Sequence, residues 1–400
     1  MRCTAVHEAS SIGEAGMNVI RLIGRSCRSL ARRGAAVALC VTLVAATGSC
    51  NRQESRVAAN GRTKVRVGYI GLTCEAPLFT AVEKGFFAEE GLDVEMVRCE
   101  WATYKDALAL GRYDVTHHLL MYFLKPIEQG MDVKFTGGVH RGCLRVQAAA
   151  DGPIRTVQDL RGKTIAVPGM GTPPFMFANR VLADNGIDPG RDVKWRVYPA
   201  SELGLVLSRG LVDAVANSEP VGSLLLADGK VRTIADQAKD APYRDEYCCA
   251  VLVNGKFLAQ YPAASAAATR AILKAAKWVD TNPAAAARLS VEKKYIASTV
   301  ELNAHAISNL DYIPSVQGGE DAVISAATAM QKGGMLSGRT DVNELARRSF
   351  IHLEGVTDEW LEAVAVETVP GGQVLPWQDL KALAAVMETN PVNTCCRRAK

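Results

Sequence analysis

The stretch that most constrains this chain is residues 64–97, KVRVGYIGLTCEAPLFTAVEKGFFAEEGLDVEMV. Val65, Val67 and Tyr69 alternate with Arg66 and Gly68, the period-two spacing of a strand. The strand ends at Gly71. Pro77 then opens a helical pattern carried by Leu78, Phe79, Val82, Phe86 and Phe87, and Gly91 stops it before a second extended run begins at Leu92. Strand, turn, helix, strand is the unit of a parallel sheet, because a strand followed by a crossover helix must restart in the same direction. The turn at 72–77 therefore lies beyond the carboxyl end of its strand, where open α/β sheets hold ligands, and the helix start there offers unpaired N–H groups.

The unit recurs along the chain. Extended residues 92–98 end at Cys99-Glu100-Trp101, a helix spans 104–110, and a strand over 113–117 leads into His117-His118 and a helix through 129. Residues 132–139 are extended, with His140-Arg141-Gly142-Cys143 behind them, and 144–150 continue extended as the first exit from a body. A second α/β body starts near 156. Its strand at 164–167 runs into Pro168-Gly169-Met170-Gly171-Thr172-Pro173-Pro174 and a helix over 175–185, with Thr172 placed to cap it. A strand at 193–198, a helix at 202–208 and a strand at 211–216 follow, the last ending at Asn217-Ser218-Glu219-Pro220. Residues 231–235 are extended. Residues 247–253 are strongly so, and their place after a complete unit marks a return crossing. From 256 the pattern is helical: 263–281, with Ile272, Leu273 and Trp278 on one face, then 283–294, 303–310, 319–332 and 342–351. Residues 354–400 read as an addition, with helices over 358–366 and 378–388 about a Gly371-Gly372 turn.

The 400 residues suit two compact bodies and an extension. Of 46 Lys+Arg and 42 Asp+Glu, six and two fall in residues 1–50, so the remainder balances at 40 and 40. A neutral body gives no electrostatic case for a nucleic-acid partner. The first 50 residues read as an export signal: a basic run of Arg21, Arg25, Arg28, Arg32 and Arg33, an apolar run over 35–46, then Thr47-Gly48-Ser49-Cys50. The last four resemble a lipoprotein cleavage box that would leave Cys50 as the lipidated N-terminus, although Thr47 replaces the usual Leu; a plain secretory signal is the alternative. The apolar run is too short for an ordinary span. These features place the mature chain in the periplasm or tethered to the outer face of a membrane. Disulfides are then open to its cysteines, and no paired CxxC spacing marks a structural zinc site.

The order of elements, with Gly68-Tyr69 leading to Pro77, the run EKGFFAEEGLDV at 83–94, DLRGKTIAV at 159–167 and GLVDA at 210–214 ahead of Glu219-Pro220, resembles the solute-binding proteins of bacterial ABC importers. The likeness is to the nitrate/sulfonate/taurine type and its thiamine-pyrimidine relatives, and covers about residues 63–353. It implies an α/β, two-lobed periplasmic-binding-protein fold of type II, followed by the C-terminal helical extension 354–400. Lobe one would comprise 63–147 and 250–353, and lobe two 148–249. It also implies a monomeric receptor that captures a small-molecule solute and delivers it to ABC permease subunits, with no cofactor and no catalysis. Some relatives on this fold are enzymes of thiamine-pyrimidine synthesis with a Cys-rich run near the return crossover. Cys248-Cys249 falls there, but Ala250 breaks the run and the export signal argues for a receptor.

In such a fold each strand-end loop ahead of a helix opens on the interlobe cleft. That selects Cys74, Glu75, Glu100, Trp101, His117, Gly171, Thr172 and Glu219. The crossovers add Arg141, Cys143, Cys248 and Cys249. Thr172 is either a ligand hydroxyl or an ordinary cap, and Trp101 either a stacking surface or core. Neighbouring histidines on a strand face opposite ways, so at most one of His117 and His118 addresses the cleft, and His118 reads as structural. Glu75, Glu100 and Glu219 with Arg141 as the main cation argue against nitrate or a simple sulfonate. Thiols and imidazoles suit a transition metal or a thiol-reactive solute. A disulfide from Cys143 to Cys248 or Cys249 is the structural alternative.

Overall fold

The computed structural model describes residues 56–101 and 103–372. The export-type segment with Cys50 and the helix expected over 378–388 lie outside the described residues. Among the described residues, ten strands form two five-stranded sheets. The first holds β1 (Thr63–Tyr69), β2 (Leu92–Arg98), β3 (Val115–Leu119), β4 (Val133–Arg141) and β10 (Tyr247–Asn254); the second holds β5 (Leu144–Ala149), β6 (Thr164–Val167), β7 (Lys194–Val197), β8 (Ala214–Ser218) and β9 (Val231–Asp236). Their orders are β2-β1-β3-β10-β4 and β7-β6-β8-β5-β9. Each is the same pattern, with one strand next to the edge running against its neighbours. β1 pairs in parallel with β2 from Thr63–Leu92 through Tyr69–Arg98, as the opening stretch requires. β10 lies antiparallel between β3 and β4, and β5 antiparallel between β8 and β9.

The chain changes sheets at Gly142-Cys143 and again between Asp236 and Tyr247. The sequence placed these exchanges later, at 147/148 and 249/250. The difference arises because an extended run does not declare which sheet it joins: β5 buries Leu144, Val146 and Ala148 in the second sheet by pairing with β8 and β9. Gly142 takes φ +71, and a Cβ there would meet that of Ala238 at 2.6 Å, so the first crossing is built for glycine. Cys143 follows at φ +155.

Helices cover the sheets. Among them, α1 (Ala76–Glu83), α2 (Leu120–Glu128), α3 (Pro173–Asp184) and α4 (Val221–Ala227) follow strands; α5 (Pro262–Thr281), α6 (Pro283–Glu292), α7 (Val300–Ser308), α8 (Val316–Lys332), α9 (Val342–Ser349) and α10 (Asp358–Ala363) come after the last strand in the described residues. The face read from α5 is the buried one: Ile272, Leu273 and Trp278 are all within the core, each contributing about 1.5–3 kcal/mol of burial. α8 lies directly on β4, where Gly319 stands so close that a Cβ would sit 2.3 Å from the Gly138 nitrogen. Residues 354–372 are part of this body. Asp358 accepts from Val316 N at 2.6 Å and Gln317 N at 3.0 Å, capping α8, and Lys277 donates to the carbonyls of Leu361 and Val364. The described extension thus holds one short helix and is bound to lobe one by side chains donating to, or capping, backbone.

Asp114 knots the start of the first sheet. Its buried carboxylate accepts from Arg56 at 2.6 and 3.0 Å, from the Arg66 side chain at 2.8 and 3.2 Å, and from Arg66 N at 2.9 Å. Burial alone would raise its pKa, but the Arg66 and Arg56 guanidiniums outweigh that and hold it below the usual carboxylate range. Asp114→Asn is expected to lose about 2 kcal/mol in urea unfolding at neutral pH. Because the folded pKa is depressed, the native advantage exists above the unfolded value of about 3.9 and fades as pH falls through the folded one. Unfolding series at several pH values should therefore show parent and variant converging in acid.

Candidate functional site

The carboxyl ends of the parallel strands in both sheets point to one crevice. Leu72 and Cys74 reach it from the loop after β1, Trp101 from that after β2, and His117, His118 and Leu119 from the second half of β3. Opposite them stand Leu144 at the crossing, Pro173 at the start of α3 and Ser218 at the end of β8. Because β10 runs antiparallel, its first residues, Cys248 and Cys249, arrive at the same end. The crevice is small, with a volume of about 20 Å³, room for one or two waters.

Of the residues selected from sequence, Cys74, Trp101, His117, Cys143 and Cys248 line it, as does Cys249. Glu75, Glu100, Arg141, Gly171, Thr172 and Glu219 do not. The Glu75 carboxylate turns back on its own loop and accepts from Ile70 N at 2.9 Å, Gly71 N at 2.7 Å and Leu72 N at 2.8 Å. Burial lifts its pKa to about 7 against the pull of those N–H groups. The loop donors expected to greet a ligand are therefore consumed. Glu100 is exposed. Arg141 lays its guanidinium over the Tyr247 ring, 5.1 Å from the centroid. Gly171 supplies a turn at φ +74. Thr172 occupies the cap position of α3, as expected, but donates its hydroxyl to Gly169 O at 2.6 Å and makes no side-chain cap bond. Pro173 and Pro174 next to it carry no N–H, which leaves that helix start poor in donors for an anion.

Glu219 is buried against Arg145 and accepts from Ser223 N at 3.0 Å and Ser223 Oγ at 2.9 Å. Arg145 also pairs with Asp236, Nε to Oδ2 at 2.9 Å. This charge cluster is internal to lobe two. The case against nitrate built on an acidic cleft thus gives way to a different one: the residues lining the crevice include no carboxylate, no guanidinium and no ammonium.

Sequence reasoning passed over His118 and His140. Both neighbours on β3 line the crevice, although their side chains leave the strand on opposite faces. His118 does so because its ring is edge-on to Trp101, at 5.3 Å between centroids, with Tyr104 and Tyr122 also against it. Neither of its ring nitrogens has a hydrogen-bond partner, so it is not the satisfied structural residue the sequence suggested. His140, on β4, stands edge-on to His117 at 5.6 Å. The signal that could have found it is its place at a strand end directly before Gly142-Cys143.

The five described cysteines are free, which removes the expected disulfide among Cys143, Cys248 and Cys249. Cys249 Sγ lies 3.7 Å from Cys248 Sγ, and thiol contacts link Cys248 with Cys143, Cys143 with Cys74, and Cys74 with Cys249. Four sulfurs thus cluster at the crevice. Hydrogen bonds from Cys248 and Cys74, with His140 nearby, hold the Cys143 thiol well below its ordinary value. Burial and those same contacts push Cys248 and Cys249 up, and the Cys143 contact with burial does so for Cys74. Burial lowers all three imidazoles, His118 to about 3, so they stand neutral at physiological pH.

Residues 58–292 match the NMT1-like family, more than half of the chain. The chain belongs to that family. Among curated relatives it is 25% identical over 278 residues to the nitrate/nitrite binding protein NrtA of Nostoc sp. strain PCC 7120, a match spanning 62% of each chain. It is 24% identical over 358 residues to the putative binding protein YtlA of Bacillus subtilis strain 168, covering 82% of this chain and 98% of that one. The crystal structure of the periplasmic nitrate-binding protein NrtA from Synechocystis PCC 6803 superposes with a TM-score of 0.61 at 19% identity, over 79% of this chain and 91% of that chain. The fold is the two-lobed α/β fold of periplasmic binding proteins, as the resemblance implied. Among the described residues no helix is long and apolar enough to cross a membrane.

Because Glu219 balances a buried guanidinium, Glu219→Ala is expected to destabilise the protein by about 3 kcal/mol rather than merely to remove a contact to solute, since it strands part of the Arg145 charge and the Ser223 N–H. Urea unfolding of the variant measures this directly.

Proposed function

We propose that this NMT1-like chain is the extracytoplasmic receptor of an ABC importer. It captures a small solute between its two sheets and presents the closed form to permease subunits in the membrane, making and breaking no bond. One observation carries the reading: a single crevice is lined by strand-end residues of both sheets, on either side of the Gly142-Cys143 crossing. A solute touching Trp101 and His117 on one side and Pro173 and Ser218 on the other links two bodies that separate about the crossings, so binding energy favours closure. The volume of about 20 Å³ suits an ion-sized guest in the closed arrangement.

The family relationship supports a receptor, as do relatives named as binding proteins. The export-type segment supports delivery outside the cytoplasm, with Cys50 as lipid anchor and the chain acting as a monomer. Nitrate, which the relative NrtA is named for, finds no lining cation here and few free N–H donors.

A solute at 100 times its Kd should stabilise the closed form by about 2.7 kcal/mol, a rise in melting temperature on the order of 5 °C. A thermal-shift panel of nitrate, sulfonates, amino acids, pyrimidines and soft metal ions, read together with the radius of gyration by X-ray scattering, tests the proposal. Stabilisation accompanied by compaction is expected for one solute class, and Trp101→Phe should remove the matching change in tryptophan emission. Release of a chemically altered product from any panel member would overturn it.

A further inference from the structure

At the crevice, where His117 and Cys249 line the wall and His140 stands next to His117 outside the lining, there is a donor set that solute capture in general does not require. His117 on β3, His140 on β4 and Cys249 on β10 each offer one ligating atom, all three residues buried and the atoms all within 4.8 Å of one another. Strand register creates this. Cys249 pairs with His140 on one side and Leu119 on the other, while His117 pairs with Val251, so the three side chains share one face across three adjacent strands. Bonds from sulfur or imidazole to a soft ion run about 2.0–2.3 Å, so three donors spread around one ion stand about 3.5–4 Å apart. Coordination by all three would draw the donors together by on the order of 1 Å from the 4.8 Å within which they lie.

Three observations say that something belongs there. Both ring nitrogens of His117 and of His118, and Nε2 of His140, are buried with no hydrogen-bond partner. Each such orphan costs about 1–3 kcal/mol, and three of them, from His117 and His140, lie together on the face that carries Cys249, with the two of His118 on the other face of β3. Next, the sulfurs of Cys74, Cys143 and Cys248 adjoin Cys249 as further soft donors, none spent in a disulfide. Finally, the lining residues include no carboxylate, whereas calcium and magnesium take oxygen ligands. Charge narrows the class. One thiolate and two neutral imidazoles neutralise a monovalent ion, and a divalent one needs a second thiolate, which Cys248 beside Cys249 can supply; an uncompensated buried charge is costly.

We infer that the solute captured in this crevice is a single thiophilic d10 cation, copper(I) foremost, ligated by His117, His140 and Cys249 with the neighbouring thiols in reserve. The inference rests on the receptor reading. On binding, the Cys249 S–H bond gives way to a metal–sulfur bond, the proton passes to water, and no electron is transferred.

The test uses the full chain, reduced and under anaerobic conditions. One equivalent of cadmium(II) should raise thiolate-to-metal charge-transfer absorption in the ultraviolet, and the chain should withdraw one equivalent of copper(I) from a chromophoric chelator. Cys249→Ser and His140→Gln should each weaken copper(I) binding by more than about 100-fold, the upper range for loss of a mere outer partner. Replacing Cys395 and Cys396 with Ser should leave it unchanged. The cadmium spectrum of the parent chain decides the matter even where a variant misfolds. In cells, deletion of the chain should lower copper accumulation, with rescue by the parent and not by Cys249→Ser. Absence of metal binding, or binding that follows the tail cysteines, overturns the inference. If another solute then raises the melting temperature, the receptor reading stands without it. Tight binding with no effect on accumulation leaves the metal site but overturns its role as cargo, and the receptor reading then stands or falls on the thermal-shift panel alone.

Discussion

The insertion of β10 between β3 and β4 is the interaction on which the rest of the molecule depends. Residues 247–254 return to the first sheet more than a hundred positions after β3 left it, and they pair with both neighbours along their length. All eight are buried. This one strand closes the first sheet, makes the second crossing between lobes, and carries Cys248 and Cys249 to the end of the sheet where His117 and His140 wait. Without it the histidines of β3 and β4 would sit on strands that do not touch. With it, a β-ladder fixes the spacing of three soft donors as firmly as it fixes the backbone.

The second organising fact is where the charges go. Strand-end loops of α/β sheets ordinarily offer N–H groups and charged side chains to a ligand. Here they are turned inward. Glu75 absorbs the donors of the first loop, Glu219 and Asp236 absorb Arg145, and Arg141 is spread on Tyr247. Two prolines blunt the start of α3. What remains facing the crevice is sulfur, imidazole, indole and aliphatic carbon. The scaffold is that of its family, and its chemistry is set by side chains that the scaffold leaves over once its own hydrogen bonding is satisfied.

The alternation Val65-Val67-Tyr69, the helix carried by Leu78 and Phe79, and the buried stripe Ile272-Leu273-Trp278 were legible because each depends only on neighbours in the chain. So was the direction of the loops, which follows from βαβ connectivity. Glu75 and Glu219 were misjudged for a physical reason. A carboxylate in a strand-end loop looks identical whether it faces a cleft or folds back onto backbone N–H groups, and the choice is decided by partners such as Arg145, 74 positions from Glu219. His118 was misjudged because alternation describes a strand's interior, whereas at its end the Trp101 ring extends the crevice to the opposite face.

The sequence by itself determined the α/β units, the family to which they belong, the helical second half, and the loops from which ligand contacts are drawn, because hydrophobic period and turn chemistry are local properties. Only the tertiary structure decided where the chain changes sheets, which polar groups in those loops are already spoken for, and that cysteines and histidines from positions 74 to 249 meet in one dry crevice. Those outcomes depend on strand pairing and side-chain partners far apart in the chain, and no spacing along a single strand encodes them.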